Sequence, residues 1–330
     1  MPYLTNDLPG IGGVIKTIPE DFFVDETLPF EPSGAGSHTY IKIEKRGMTT
    51  FEAINRVASV LQINSDSIGF AGMKDATAVT RQFLSVPVEP AKLSNLGIPG
   101  LQTLSAVPHG HKLRRGLVKC NSFNILIRKV PDDSLNRARE ILSVLVSRGV
   151  PNFYGPQRFG IDRKNIEIGK SLVAGEHPRF KKRLSRLVIS SYQAHLFNQV
   201  LERRLPEFDR LWSGDLALHH GRYFLVNEVT EELRLRLAQF DISPSGPIFG
   251  YRMPEAGGKE AELEREVLET EGLNLESFKV GPSLRFRGSR RPFRVPLSGL
   301  EVSQEENSLR VKFTLPSGSY ATTVLAELMK

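Results

Sequence analysis

The chain has one cysteine, Cys120, and one tryptophan in 330 residues. A single thiol excludes an internal disulfide framework and a cysteine-rich zinc site. Long apolar runs are missing too, since none approaches the roughly 20 residues that a bilayer-spanning helix needs. The opening MPYLTNDLPGIGGVIKTIPEDF carries neither a basic nor an apolar leader, so no signal peptide, no membrane attachment and a cytoplasmic location are expected. Acidic residues are fewer than basic ones, 37 against 44, which leaves a net charge of +7 and a pI near 9.5. That bias points to a polyanionic partner, with nucleic acid first and an anionic membrane surface second.

What is present is an ordinary globular composition, 40% hydrophobic and 25% charged, in a chain long enough for two domains or one large one. HTYIKIEK (38–45) alternates as a strand, with Tyr40 and Lys42 on one face and Ile41 and Ile43 on the other. TTFEAINRVASVLQI follows, with Thr49 and Glu52 at capping-box spacing and Phe51, Ile54, Val57 and Leu61 as a helical stripe. FNILIRKV (123–130) is a second clear strand. DDSLNRAREILSVLVSRG is a helix with Leu135, Ala138, Leu142 and Leu145 as its stripe and Gly149 as its stop.

The character changes at PNFYGPQRFG (151–160). Arg-rich segments, a helix SSYQAHLFNQVLERRL, and a Pro/Gly-rich stretch 243–260 that reads as irregular come next. The C-terminus returns to strand LRVKFTL, turn PSG and helix SYATTVLAELMK. This order suggests a discontinuous α+β domain, 1–154 with 288–330, interrupted by an inserted domain at 155–287. A linear two-domain split is the simpler alternative.

Three basic runs stand out: HGHKLRRG (109–116), RFKKRLSR (179–186) and RFRGSRRPFR (285–294). The third interleaves two phenylalanines with five arginines, a mixture that stacks on bases while gripping phosphates. Any one run could be a solvated face; three together favour RNA or DNA contact. The histidine pairs in HGH and at 219–220 lack an evident carboxylate or thiolate complement, so no metal is expected. Cys120 reads as a structural thiol, although a cysteine nucleophile acting on a uracil ring would suit a uridine methyltransferase.

IGFAGMKDATAVTRQFLSV (68–86) places Asp75 in a small-residue loop, with Lys74 beside it. Taken alone, Asp75 could form a turn or cap a helix beginning at ATAVTRQF.

Read whole, GFAGMKDATAVTRQF resembles the catalytic motif of the TruD family of tRNA pseudouridine synthases, GFAGxKDxxAVTxQ. GVIKTIPEDFFVDE (13–26) is similar to that family's amino-terminal segment, KCNSF (119–123) to its Lys-Gly-Asn-x-Phe motif, GVPNFYGPQRFG (149–160) to VPNYFGxQRFG, and LPSGSYATTVLAEL (315–328) to its closing turn and helix. Cys120 stands where the family usually has glycine. Beyond QRFG the middle region matches through SSYQAHLFNQ.

The resemblance implies a pseudouridine synthase catalytic domain of α+β class around a mixed antiparallel sheet, an inserted α+β TRUD domain, and RNA held in the cleft between them. It implies an isomerase that converts uridine 13 of tRNA to pseudouridine without cofactor, metal or energy source, acting as a monomer. A non-catalytic RNA-binding protein and the methyltransferase are the alternatives. Asp75 is then the catalytic carboxylate, which must stay ionised in a dry pocket and so needs a cation. Lys16 is its expected partner and Lys74 the alternative. Asn121 is expected to hold the Asp75 loop, and Phe123 to stack on the extruded base. Glycines would let the loop approach the nucleotide. Expected RNA contacts are His109, Lys112 and Arg115 in the first run, Gln157, Arg158 and Phe159 in the QRFG motif, and Arg290 and Arg291 in the third run.

Overall fold

The structure, a computed structural model, describes residues 2–176, 180–281 and 284–330. The chain forms two compact units. One comprises 10–140, 297–318 and 328–330; the other comprises 1–9, 141–296 and 319–327.

The first unit is built on one sheet. Strands β1 (Phe22–Thr27), β2 (His38–Arg46), β3 (Gly69–Phe70), β4 (Val79–Val86), β5 (Leu101–His109) and β6 (Cys120–Arg128) join the hairpin Ser298–Glu305 and Ser308–Pro316. From one edge the order is the two hairpin strands, then β6, β1, β4, β2 and β5, with β3 added on β4. Every pairing is antiparallel except β1 with β4, so the sheet is mixed and the class is α+β. That parallel pair runs through a long crossover containing β2 and helix α1 (Thr50–Leu61).

Helix α1 starts where its sequence says it should. Thr49 accepts from the Glu52 amide at 3.1 Å while the Glu52 carboxylate accepts from the Thr49 amide at 2.7 Å. Its buried face, however, is Ala53, Ile54, Val57 and Ala58, packed on Ile41, Ile43 and Leu84. Phe51, expected in the stripe, lies exposed at the N-terminus and meets Phe70 edge-on.

Helix α2 (Ser134–Arg148) ends at Gly149, whose φ of 90° suits glycine. In the second unit α3 (Lys164–Val173) and α4 (Lys182–Arg204) pack together over a core of Tyr192, Phe197, Phe249, Phe278 and Phe293. The segment read as irregular, 243–260, instead contains a strand, Ser243–Ile248, in a four-stranded sheet, and the start of a helix, Gly258–Thr270. Pro244 still serves there because its carbonyl accepts from the Phe293 amide, and Gly246 lets Phe293 close in: an added Cβ would lie 2.3 Å from that ring. The middle block of the second unit is 141–296, and within it the strand Val150–Pro151 pairs with Arg294–Val295. Arg179 of the second basic run lies outside the described residues.

Candidate active site

The loop 71–78 joins β3 to β4 in the first unit and is fixed from three sides. From α1, Thr50 accepts the Lys74 amide at 2.8 Å and donates to Gln82 on β4 at 3.0 Å. From β1, Glu26 holds Lys74 Nζ at 2.7 Å and accepts from the Phe83 amide at 3.1 Å. From β6, Asn121 accepts from the same Lys74 ammonium at 2.6 Å. Glu26 and Asn121 face each other in the β1–β6 register, so one lysine clamps both strands to the loop.

Asp75 is thereby held with its carboxylate partly open. Lys16 donates to Oδ2, and Oδ1 accepts long hydrogen bonds from Thr77, 3.3 Å from its amide and 3.2 Å from its hydroxyl. Burial acts to raise the Asp75 pKa. The hydrogen bond and charge of Lys16, with the Thr77 donors, outweigh it and hold the carboxyl below its ordinary range. The group is therefore an anion at neutral pH, with about a third of its side-chain surface free. Such a carboxylate can act as base or nucleophile. The helix-cap alternative fails because the residues after the loop are strand β4.

Lys16 follows two glycines of positive φ and is itself left-handed, φ 59°, a costly conformation for a side chain that has a Cβ. Its ammonium lies 4.6 Å from the Phe22 ring centroid, and Phe22 meets Phe123 edge-on at 6.4 Å. Lys74, the alternative partner, is engaged with Glu26 and Asn121.

Phe123 does not present a free face. It is 9% exposed, and its ring stacks on Phe313 at 5.2 Å. On its other side the ring meets Phe22 edge-on. Two glycines of the motif stand close to protein groups. A Cβ on Gly69 would lie 2.4 Å from the Leu113 carbonyl oxygen, and one on Gly72 would lie 3.1 Å from Glu26 Oε2, so both make room for protein groups.

Lys45 was missed in the sequence. Its side chain is 1% exposed, and its ammonium donates to the Met48 carbonyl and, at 3.1 Å, to the Asp75 carbonyl. Burial lowers its pKa to about 8, against the attraction of the Asp75 charge. Glu26, Thr50 and Gln82 were missed as well.

The expected RNA contacts divide. In the first unit Lys112 and Arg115 are exposed; Arg115 lies over Phe70, and the loop carrying them is tied to the Asp75 loop by the Gly116 amide donating to Ala71. His109 is half-buried against Phe30 and Tyr40. In the second unit Gln157 is exposed, and Arg158 donates to Ser190. Phe159 is core, 5% exposed. Arg290 is a correction: its side chain is fully buried, paired with Glu264 at 2.6 Å and hydrogen-bonded to Ser245. Arg291 packs at 3.9 Å on the Tyr154 ring and donates to Asn152, so it too is tied into the fold.

The histidine pair 219–220 meets a carboxylate that the sequence did not reveal. His219 lies 3.0 Å from Asp241, whose other oxygen accepts from Arg236 at 2.7 Å. Among the described residues no helix is long and apolar enough to cross a membrane.

A mixed sheet thus carries an ionised, partly open carboxylate on a strand-connecting loop, paired with Lys16. The chain matches the family model described as tRNA pseudouridine synthase D (TruD) over residues 1–180 and 177–328 and belongs to the TruD family. It is similar to the tRNA pseudouridine synthase D of Geobacter sp. (strain M21), with 39% identity over 394 residues covering 99% of each chain. It is likewise similar to that of Thermus thermophilus, with 42% identity over 336 residues covering all of this chain and 92% of the relative. A crystal structure from Methanosarcina mazei bearing the same protein name superposes with a TM-score of 0.80 at 23% identity, covering 100% of this chain and 96% of that one, which shows the shared fold.

Proposed function

We propose that the protein is a tRNA pseudouridine synthase that isomerises uridine 13, with Asp75 as the reacting carboxylate and no cofactor. The observation that carries this reading is the Lys16–Asp75 pair, an anion kept ionised yet partly open on a loop that three elements immobilise. Relatives of about 40% identity over nearly the whole chain, named tRNA pseudouridine synthase D, support the substrate class.

In this reaction the bond from C1′ to N1 breaks, the uracil turns, a bond from C1′ to C5 forms, and the proton on C5 leaves. One carboxylate suffices, because it can assist departure of the base and later help to remove that proton. Lys16 keeps Asp75 charged before substrate arrives. Lys74, held by Glu26 and Asn121, fixes the loop. Lys112 and Arg115, near the loop, supply phosphate contacts. The test is incubation with tRNA transcripts carrying 5-tritiated uridine. Release of tritium, with the product mapped to position 13, is the expected result; no release from a folded protein that binds tRNA would refute the reading.

A further inference from the structure

One end of the four-stranded sheet in the second unit collects three metal-ligating side chains that the uridine reaction does not use. Strands Leu216–His219 and Arg222–Leu225 are joined by a two-residue turn, His220–Gly221, with φ of 47° and 77°. Turns of that kind favour Asn–Gly, because both central residues must be left-handed. His220 takes the asparagine place against that preference. Its imidazole stands beside that of His219, with ring centroids 4.3 Å apart.

The carboxylate comes from a different part of the sequence. Strand Ser243–Ile248 runs antiparallel to Leu216–His219 with Ser243 opposite Leu218, so the residues just before Ser243 reach the turn. Asp241 is one of them. Its amide donates to the Arg236 carbonyl at 3.0 Å, closing helix α5 (Glu231–Ala238), and its Oδ2 accepts from Arg236 Nε at 2.7 Å. That leaves Oδ1 for His219, whose Nε2 lies 3.0 Å away. One ligand atom from each of His219, His220 and Asp241 lies within 4.8 Å of the other two. Among the described residues no other three histidine, cysteine or carboxylate side chains converge in this way.

The spacing is that of a metal cradle. Zinc bonds to nitrogen and oxygen of about 2.0–2.2 Å put the ligand atoms of a tetrahedral site roughly 3.3–3.5 Å apart. The His219–Asp241 pair is close to that separation, and the exposed ring of His220 has room to turn toward it. Two imidazoles with one carboxylate oxygen suit zinc and its neighbours, whereas magnesium and calcium take oxygen ligands. Arg236 fixes the direction of the carboxylate, as an outer partner does, and its positive charge keeps the affinity moderate. On entry the ion replaces the proton between His219 and Asp241, which passes to Nδ1 of the ring, or to water from a charged ring. We propose that His219, His220 and Asp241 bind one divalent ion of the zinc class, with water in the remaining position.

The test titrates zinc chloride into the full chain against a chromophoric chelator of micromolar affinity, for wild type, His220→Asn, Asp241→Asn and His111→Ala. Asparagine suits the turn at least as well as histidine, so His220→Asn keeps the fold while losing a ligand. Wild type should take up a single zinc ion. His220→Asn and Asp241→Asn should each bind it at least about tenfold more weakly, since loss of an outer partner alone costs that much. His111→Ala, in the histidine pair of the first unit, should bind like wild type. Cobalt(II) should broaden the imidazole proton resonances of His219 and His220 before those of the other histidines. Wild type that takes no zinc from the chelator, either ligand variant binding as tightly as wild type, or loss of binding in His111→Ala would each overturn the site. So would cobalt broadening centred on another histidine. The uridine reaction is tested separately by tritium release, and neither outcome decides the other.

Discussion

Replacing Asp75 by Asn removes the charge and the reactive oxygen while changing almost nothing else. The structure sets the expected structural cost. The Lys16–Asp75 pair is 22% and 36% exposed on its two sides, so solvent screens it, and its loss should cost about 1 kcal/mol or less. Asn keeps an oxygen for the Thr77 donors, which are already long at 3.2 and 3.3 Å. The loop itself is anchored through the Lys74 amide and ammonium and the Asp75 carbonyl, none of which the substitution touches. Folding, read by circular dichroism and a melting temperature within about 2–4 °C of wild type, should therefore survive, and so should tRNA affinity. Turnover should not: loss of a residue acting in the chemical step lowers kcat on the order of a thousandfold or more. The assay is tritium release from 5-tritiated uridine in tRNA under single-turnover conditions. If Asp75 were only a turn former, Asn would serve as well. Near wild-type release from the folded variant would therefore refute the mechanism.

Lys16→Met removes the group that holds the Asp75 carboxyl low, so burial then dominates and the acid limb of the pH–rate profile should move to higher pH; an unmoved limb would break the link between the pair and activity. Lys45, with a pKa near 8, should give a basic limb near pH 8 that is absent in Lys45→Met. The linkage sign is fixed too. Between about 8 and the ordinary 10.5 the unfolded chain binds this proton more tightly than the fold does, so the Lys45 contribution to stability rises with pH across that window, as denaturant midpoints of wild type and variant would show. Arg290→Met leaves Glu264 without its buried partner and should destabilise by about 3 kcal/mol, with the salt dependence of tRNA binding unchanged. Lys112→Ala or Arg115→Ala should instead reduce the log–log salt slope by about 0.7–0.9 each, and a fall in that slope for Arg290→Met would reverse the assignment of Arg290.

Much of the first unit was legible because its signals are local. The capping box at Thr49 and Glu52 needs four residues, and the strands of the sheet alternate over five or more. What failed was local chemistry overridden by packing. Pro244 and Gly246 punctuate a segment that still forms a strand, because the Phe293 ring requires the space over Gly246 and the Pro244 carbonyl is a sound acceptor. The third basic run misled for a similar reason. Arginine composition announces charge, and nothing in RFRGSRRPFR says that the acid neutralising Arg290 is Glu264, on a helix 26 residues earlier.

The site was legible as a motif but not as a network, yet two of its missing members did leave a trace. In HTYIKIEK the period of two puts Lys45 on the face of Ile41 and Ile43, and in FFVDET it puts Glu26 on the face of Phe22 and Val24. A lysine and a glutamate at inward strand positions must each find a partner, since an isolated buried charge is too costly to keep. Neither meets the other. Glu26 takes Lys74, and Lys45 takes two carbonyls, one of them from Asp75. Three lysines thus surround the loop with separate tasks: Lys16 on the Asp75 carboxylate, Lys45 on its backbone, and Lys74 on the strands beneath. A single ammonium could not do all three, because its position on the carboxylate would then shift with every movement of the sheet. With Lys45 on the loop backbone and Lys74 on the strands beneath, Lys16 is the one lysine of the three whose movement would leave the loop anchored.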